Sequence, residues 1–234
     1  MKTINVNLKE RSYPIHVKKD LFKHIDTIPI INNIGQKWVI ISHSIIMEII
    51  GDKITSLLRA RGFDCESILV PEGDSAKNID EYSGIIFQML KFGCDRKSVI
   101  LALGGGVIGD IAGFVASTFM RGIKYYQIPT TLLSMVDSSI GGKTGLNISG
   151  GKNLIGSFYQ PAGVLIDPIA LNSLPVEEVH SGISEIIKYG VIIYDSDTNK
   201  GKFGNENLWF LVMWSDGEIN WVSNVHLKVI SENR

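Results

Sequence analysis

"SVILALGGGVIGDIAGFVASTFMRG", residues 98–122, runs from a β-branched apolar stretch through three glycines into a stretch with helical spacing. The first part, 98–106, reads as a buried strand, because a short apolar run without alternation is covered on both faces. The second part, 107–122, reads as a helix entered directly from the glycines. A strand, a glycine turn and a helix start together present backbone N–H groups and the positive end of a helix to phosphate. The glycines also let a ligand approach the backbone closely. The run is not a clean G-x-G-x-x-G, so spacing alone leaves two readings open: a nucleotide site and a tight strand–helix turn. Asp110 is likewise either a partner for a ribose hydroxyl or an ordinary first-turn helix carboxylate.

Reading outward, residues 1–8 and 13–18 alternate in the manner of a hairpin. A buried strand at 37–42, a helix at 45–62 ending in basic residues and Gly62, a strand at 65–73 and a helix at 78–93 follow. Beyond the central run, 124–130 is a fourth strand of the series. Strands alternating with helices build a parallel sheet with helical crossovers, an α/β fold. Past Pro175 the pattern changes: 176–194 reads as a helix, 196–207 is polar, and the remainder holds Trp209, Trp214 and Trp221. The expected division is therefore an α/β domain over 1–175 and a partial, mainly helical domain over 176–234.

Composition excludes several classes. With 44% hydrophobic and 20% charged residues, the 234-residue chain reads as globular, and its net charge of −1 gives no electrostatic case for nucleic acid or an anionic membrane. Cys65 and Cys94 have neither metal-type nor redox-type spacing and suit a reducing compartment. The start lacks a signal-peptide pattern and no apolar run approaches the ~20 residues that span a bilayer, so the expectation is a soluble, cytoplasmic protein.

Three further stretches carry candidate chemistry. "PEGDSAKN", 71–78, puts carboxylates and Lys77 at a strand's carboxyl end, where open α/β sheets bind ligands; a solvated turn capped by Asp74 or Ser75 is the plainer reading. "IPTTLL", 128–133, sets two hydroxyls at another strand end, where most threonines only cap. "VDSSIGGKTGLNISGGKN", 136–153, contains too little bulk to build a core. It reads as a long irregular loop, and such loops inside compact domains are functional or disordered. Its lysines suit a small polyanionic ligand.

Taken together, "GGGVIGDIAGFVASTFMRGI", "IPTTLLSMVDSSIGGKTGLN", "GKNLIGSFYQP" and "GISEIIKYG" resemble the 3-dehydroquinate synthase family of the sugar phosphate cyclases. The resemblance runs nearly unbroken from about residue 93 to 195, and several long motifs in the same order are specific. It implies an N-terminal parallel-sheet domain that binds NAD and a C-terminal α-helical domain that binds zinc or cobalt. It implies as substrate the heptulosonate phosphate DAHP of the shikimate pathway. NAD is used transiently there: a secondary alcohol is oxidised, phosphate is eliminated, the hydride returns and an aldol closure forms the ring. By motif, Gly105, Gly106, Val107, Ile108, Gly109 and Asp110 hold cofactor, as do Thr130 and Thr131. Glu72, Gly73, Asp74, Ser75, Ala76 and Lys77 fall where the family grips the adenosine end. Ala170, Leu171, Asn172 and Ser173 fall on another cofactor contact. Asp137, Lys143, Lys152, Asn153 and Lys188 surround the substrate, with Lys143 and Lys152 also beside the cofactor. Glu185 is a metal ligand, and Arg121 reaches the substrate phosphate across a homodimer interface.

The resemblance has limits. A catalytic zinc takes three protein ligands, and the family supplies two from histidines, one in a His-Thr-x-Gly-His signature. This sequence has only His16, His24, His43, His180 and His226 and no such signature, so the metal site is expected to be incomplete and the protein truncated at its C-terminal end. The tryptophan-rich stretch 205–221 is unlike the family. Three functions remain: a dehydroquinate synthase, a sister cyclase or polyol dehydrogenase on the same fold, and an inactive NAD-binding module.

Overall fold

The computed structural model describes residues 1–28 and 35–189, together with the backbone of 192–195, 200–203, 210–213 and 219–222. The strands are β1 Lys2–Val6, β2 Tyr13–Val17, β3 Lys37–Ser42, β4 Asp64–Leu69, β5 Val99–Gly104, β6 Lys124–Pro129, β7 Lys143–Ile148, β8 Gly151–Phe158 and β9 Gly163–Ile166. Seven of them form one sheet in the order β1-β2-β9-β6-β5-β3-β4. Only the β1–β2 pair is antiparallel; every other neighbouring pair runs parallel. This is the α/β architecture expected from the alternation of elements.

The helices are α1 Ser44–Ile46, α2 Asp52–Ala60, α3 Ile79–Lys91, α4 Gly106–Thr118 and α5 Val176–Tyr189. α1 and α2 are joined through a wider π turn, Met47–Gly51. The central strands are buried on both faces, and in β3, β5 and β6 successive residues serve opposite cores. Trp38, Ile40, Leu101, Leu103, Tyr126 and Ile128 pack on one side with Ile54 and Leu58 of α2. Val39, Ile41, Ile100, Ala102 and Tyr125 pack on the other with Ile85 and Met89 of α3 and the apolar face of α4. Period-two alternation with both faces covered is what makes these strands read as unbroken apolar runs.

Three sequence expectations change. The helix read over 107–122 ends at Thr118; Met120 and Arg121 then adopt left-handed φ of 50° and 70° before Gly122. The helix read over 176–194 ends at Tyr189, and 192–195 is a strand paired with 200–203; the β-branched run at 191–193 favours an extended backbone. A further ladder joins 210–213 to 219–222. Of the helical domain read for 176–234, α5 is the helix among the described residues.

The third change matters most. The stretch 136–153, read as irregular loop, is a π turn at Ser134–Ser138 followed by the antiparallel hairpin β7–β8, which lies on α4. Its bulk deficit is what lets it pack. Gly145 faces Gly156 across the ladder. A Cβ on Gly145 would lie 2.7 Å from the Ile155 carbonyl oxygen, and one on Gly156 would run into that of Thr144. On α4, Gly113 leaves room for Thr144, whose Cγ2 sits 2.5 Å from where a Cβ would be. Leu146 is fully buried in the second core. Gly156→Ala therefore pushes a methyl group into backbone that cannot swing aside. The expected loss is about 1–3 kcal/mol, read as a lowered urea midpoint; an unchanged midpoint would mean that the hairpin is not packed this closely.

Candidate cofactor and substrate site

β3 and β4 progress towards one edge of the sheet, whereas β5 returns to the other side of β3 and β6 continues in that direction. The carboxyl ends of β3 and β5 therefore form a topological switch point, where open α/β sheets take their ligands. Ser42 Oγ, at the end of β3, donates to the Leu103 carbonyl across this point at 2.7 Å. The glycine turn follows directly.

α4 starts here without a side-chain cap, its N-cap being Gly105. α3 offers the contrast: Asn78 Oδ1 accepts the Glu81 N–H at 2.9 Å, so Asn78 and not Asp74 or Ser75 is the cap there. In α4 the first intrahelical bond is Gly109 N–H to the Gly105 carbonyl. The N–H groups of Gly106, Val107 and Ile108 precede it, and a helix end of this kind attracts an anion. Cβ atoms on Gly105 and Gly106 would lie 3.2 Å from Thr131 Cγ2 and Ser138 Oγ, so these two side chains form the walls of the slot. Thr131 Oγ1 bonds to Ser134 and caps its own turn. Thr130 Oγ1, Ser138 Oγ and Ser139 Oγ are buried without a protein partner. A hydroxyl in that state costs about 1–3 kcal/mol, a cost that a polar ligand offsets.

Beside the slot lies a polar network. The Lys77 side chain is 5% exposed. Its Nζ donates to Asp110 Oδ2 and to Asn153 Oδ1, both at 2.5 Å, and stands 4.0 Å from Asp74 Oδ1. Burial pushes the Asp110 carboxyl above its ordinary value, and the hydrogen bond from Lys77 opposes this without cancelling it. Lys152 Nζ pairs with Asp74 Oδ2 at 2.7 Å and is the main cause holding the Asp74 carboxyl low. Lys143 donates to Asp137 Oδ1 at 3.1 Å.

A cavity of about 470 Å³ opens between α4 and the hairpin. Asp110, Asp137, Ser138, Lys143 and Asn153 line it, together with the hydroxyl-bearing Thr144 and Ser157. Four of these stand out in the sequence, in two separate stretches, 98–122 and 136–153. Leu154 and Phe158, 61% and 77% exposed, form an apolar rim. Sequence reasoning missed Ser138 and this rim. They sit in β8 and the π turn, elements that a glycine-rich loop does not advertise.

Other expected site residues lie elsewhere. Lys152 points to Asp74 rather than into the cavity and is 75% exposed. Glu72, Gly73 and Ser75 are on the turn after β4, where Ala76 is buried. Ile108 and Gly109 are buried; a Cβ on Gly109 would meet Gln127 Oε1 at 2.7 Å. Ala170 and Leu171 belong to the core, while Asn172 and Ser173 are exposed. Arg121 is exposed at the opposite end of α4, roughly 20 Å of helix from the glycine turn. Glu185 is half-buried on α5; Lys188 is on the same helix, with its side chain outside the described residues. Among the described residues no three His, Cys, Asp or Glu side chains come together to hold a metal, and no helix is long and apolar enough to cross a membrane.

Comparison with known proteins points one way. Residues 67–181 match the family described as 3-dehydroquinate synthase N-terminal. A 3-dehydroquinate synthase of Picosynechococcus sp. is 48% identical over 195 residues, covering 83% of this chain and 53% of that protein. One of Prochlorococcus marinus is 42% identical over 231 residues, covering 95% of this chain and 64% of that protein. The second alignment thus takes in the tryptophan-rich stretch that was read as unlike the family. The chain spans between about half and two thirds of the length of these relatives. Among solved structures, a 2-epi-5-epi-valiolone synthase from Streptomyces hygroscopicus with NAD+ and Zn2+ bound superposes with a TM-score of 0.71 at 30% identity, covering 80% of this chain and 51% of that one. Parallel sheet, switch-point glycine turn and matched sequence converge: the protein carries the N-terminal domain of the 3-dehydroquinate synthase family, within the sugar phosphate cyclase superfamily.

Proposed function

We propose that this protein binds NAD at the glycine turn and the sugar phosphate DAHP in the adjoining cavity, as the cofactor- and substrate-binding part of a 3-dehydroquinate synthase. The observation that carries this reading is the meeting of Asp110, Asp137, Lys143 and Asn153 around one cavity beside an uncapped helix start. The slot fits NAD: bare N–H groups for the pyrophosphate, unpartnered Thr130 and Ser138 hydroxyls, and Asp110 for a ribose. NAD supplies the hydride acceptor. Lys143 binds and orients the anionic substrate, and Asp137 holds the Lys143 ammonium in place until substrate competes for it. Asn153 adds a neutral amide to the same wall. The described residues do not fit a metal, Glu185 being the one expected ligand among them.

In this reading 1–175 is the NAD domain and 176–234 the start of a second. Arg121, remote from this cavity, serves a second copy in a homodimer. Cys65 and Cys94, both buried free thiols, fit the cytoplasm.

The test is phosphate release from DAHP by the purified protein with NAD and zinc supplied. Lys143→Ala is expected to lower turnover at least about a hundredfold, two binding contacts' worth, while the melting temperature moves little. Lys143 is 56% exposed and its pair with Asp137 contributes little to folding. Equal turnover in variant and wild type would remove Lys143 from the site. A sister cyclase is the second reading, favoured by the 30% identity to the valiolone synthase; release from another sugar phosphate but not DAHP would establish it.

A further inference from the structure

We propose that Asn147 is a positioning residue that couples the cofactor turn 72–78 to the first residues of β8, 151–153, on the substrate side; the cofactor half of this rests on the NAD reading above. Asn147 sits where the β7–β8 register breaks, between Leu146 and Ile148. Freed from the ladder, its backbone N–H donates to the Lys77 carbonyl at 2.6 Å. A bulge of this kind re-aims one side chain. Here the Nδ2 of Asn147 donates to the Asp74 carbonyl at 3.1 Å, and Oδ1 accepts the Asn153 N–H at 2.9 Å. Asn153 is held at a left-handed φ of 55°, and from there its own Oδ1 meets Lys77 Nζ. The contacts close a ring: Lys77 carbonyl, Asn147, Asn153 and back to the Lys77 ammonium.

Both ends of the ring are functional in the proposed reading. Lys77 and Asp74 belong to the turn that faces the cofactor. Asn153 lines the cavity, and Lys152 is its neighbour. Asn147 touches neither the cavity nor the glycine turn. It acts on both through other groups, so occupancy at one end changes the order of the other.

Residue-resolved hydrogen exchange on the 234-residue chain, with and without NAD, tests this. Without NAD, Asn147→Ala is expected to speed exchange of the Asn153 amide about fivefold to tenfold, the yield of one lost hydrogen bond, with α4 unchanged. Asn147→Asp keeps an oxygen acceptor and is expected to restore that protection. With NAD, wild type should gain protection at 105–110 and at 151–153, whereas Asn147→Ala should gain it only at 105–110. An unchanged Asn153 rate in Asn147→Ala without NAD would overturn the tie. Equal NAD-induced protection of 151–153 in both proteins would overturn the coupling. No NAD-induced protection of 105–110 in wild type would sink the cofactor reading and the coupling with it, and leave the tie to be judged by the first arm. If Asn147→Ala fails to fold, Asn147→Asp carries the same comparison: it keeps the Asn153 acceptor but loses the donor to Asp74, so NAD-induced protection of 151–153 as large as in wild type would overturn the coupling.

Discussion

Asp110→Ala is expected to destabilise the protein by about 3–5 kcal/mol, the usual cost of stripping the partner from a buried charge, and to abolish NAD binding. The Lys77 ammonium is almost fully enclosed. Without Asp110 it keeps a neutral amide oxygen on Asn153 and a carboxylate on Asp74 at 4.0 Å, too far for a hydrogen bond. The pair is not itself a source of stability. Burial raises the Asp110 carboxyl above its ordinary value, so the folded state holds that proton more tightly than the unfolded state does. For such a group the stabilising contribution is present below the unfolded value of about 4 and is lost as pH rises through the higher folded value. Across that window the urea midpoint of wild type should fall relative to that of Asp110→Asn, which has no carboxyl to titrate. Removing both charges, as Lys77→Met with Asp110→Leu, should recover most of the stability lost in Asp110→Ala without recovering NAD binding. A wild-type midpoint in Asp110→Ala would show that Lys77 is hydrated and the pair exposed.

That pair also shows how far the sequence could be read. The sheet was legible because strands such as β3 and β5 are continuous apolar runs, and because α2 and α3 each have a basic residue in the last turn and a glycine shortly after. The glycine turn was legible only as one of two things, a nucleotide site or a tight strand–helix turn, and the resemblance decided between them. The resemblance supplied the remaining site residues by motif. The partnership of Lys77 with Asp110 and Asn153, 33 and 76 residues away, left no local trace. Nor did the hairpin: glycine disfavours strands in isolation, and the Gly145–Gly156 pairing shows its value only when the two strands meet. Asn147 was passed over for the same reason, since all its partners are set by tertiary structure. The helix boundaries at Thr118 and Tyr189 failed differently, because apolar spacing continued past the point where the backbone turned.

The second large effect is expected at Gly106. Gly106→Val should weaken NAD binding at least about a hundredfold, the value of two charge-assisted hydrogen bonds, with little change in the melting temperature. Gly106 is the first residue of α4, and its φ is not in the left-handed region, so valine adopts its backbone without strain. A β-branched residue in a first helical turn costs only tenths of a kcal/mol, about 0.5. The obstruction is local. The new Cβ lies 3.2 Å from Ser138 Oγ, and the two methyl groups beyond it crowd the slot between Thr131 and Ser138 in front of the bare N–H groups. Phosphate has to come within hydrogen-bond distance of those groups to benefit from the helix end, and the methyl groups prevent it. Titration calorimetry with NAD measures the affinity, and the Asn147-dependent exchange at 151–153 without NAD serves as an internal check that the hairpin is undisturbed. Unimpaired binding in a folded Gly106→Val would move the pyrophosphate away from α4, and the case for Asp110 as its ribose partner would go with it.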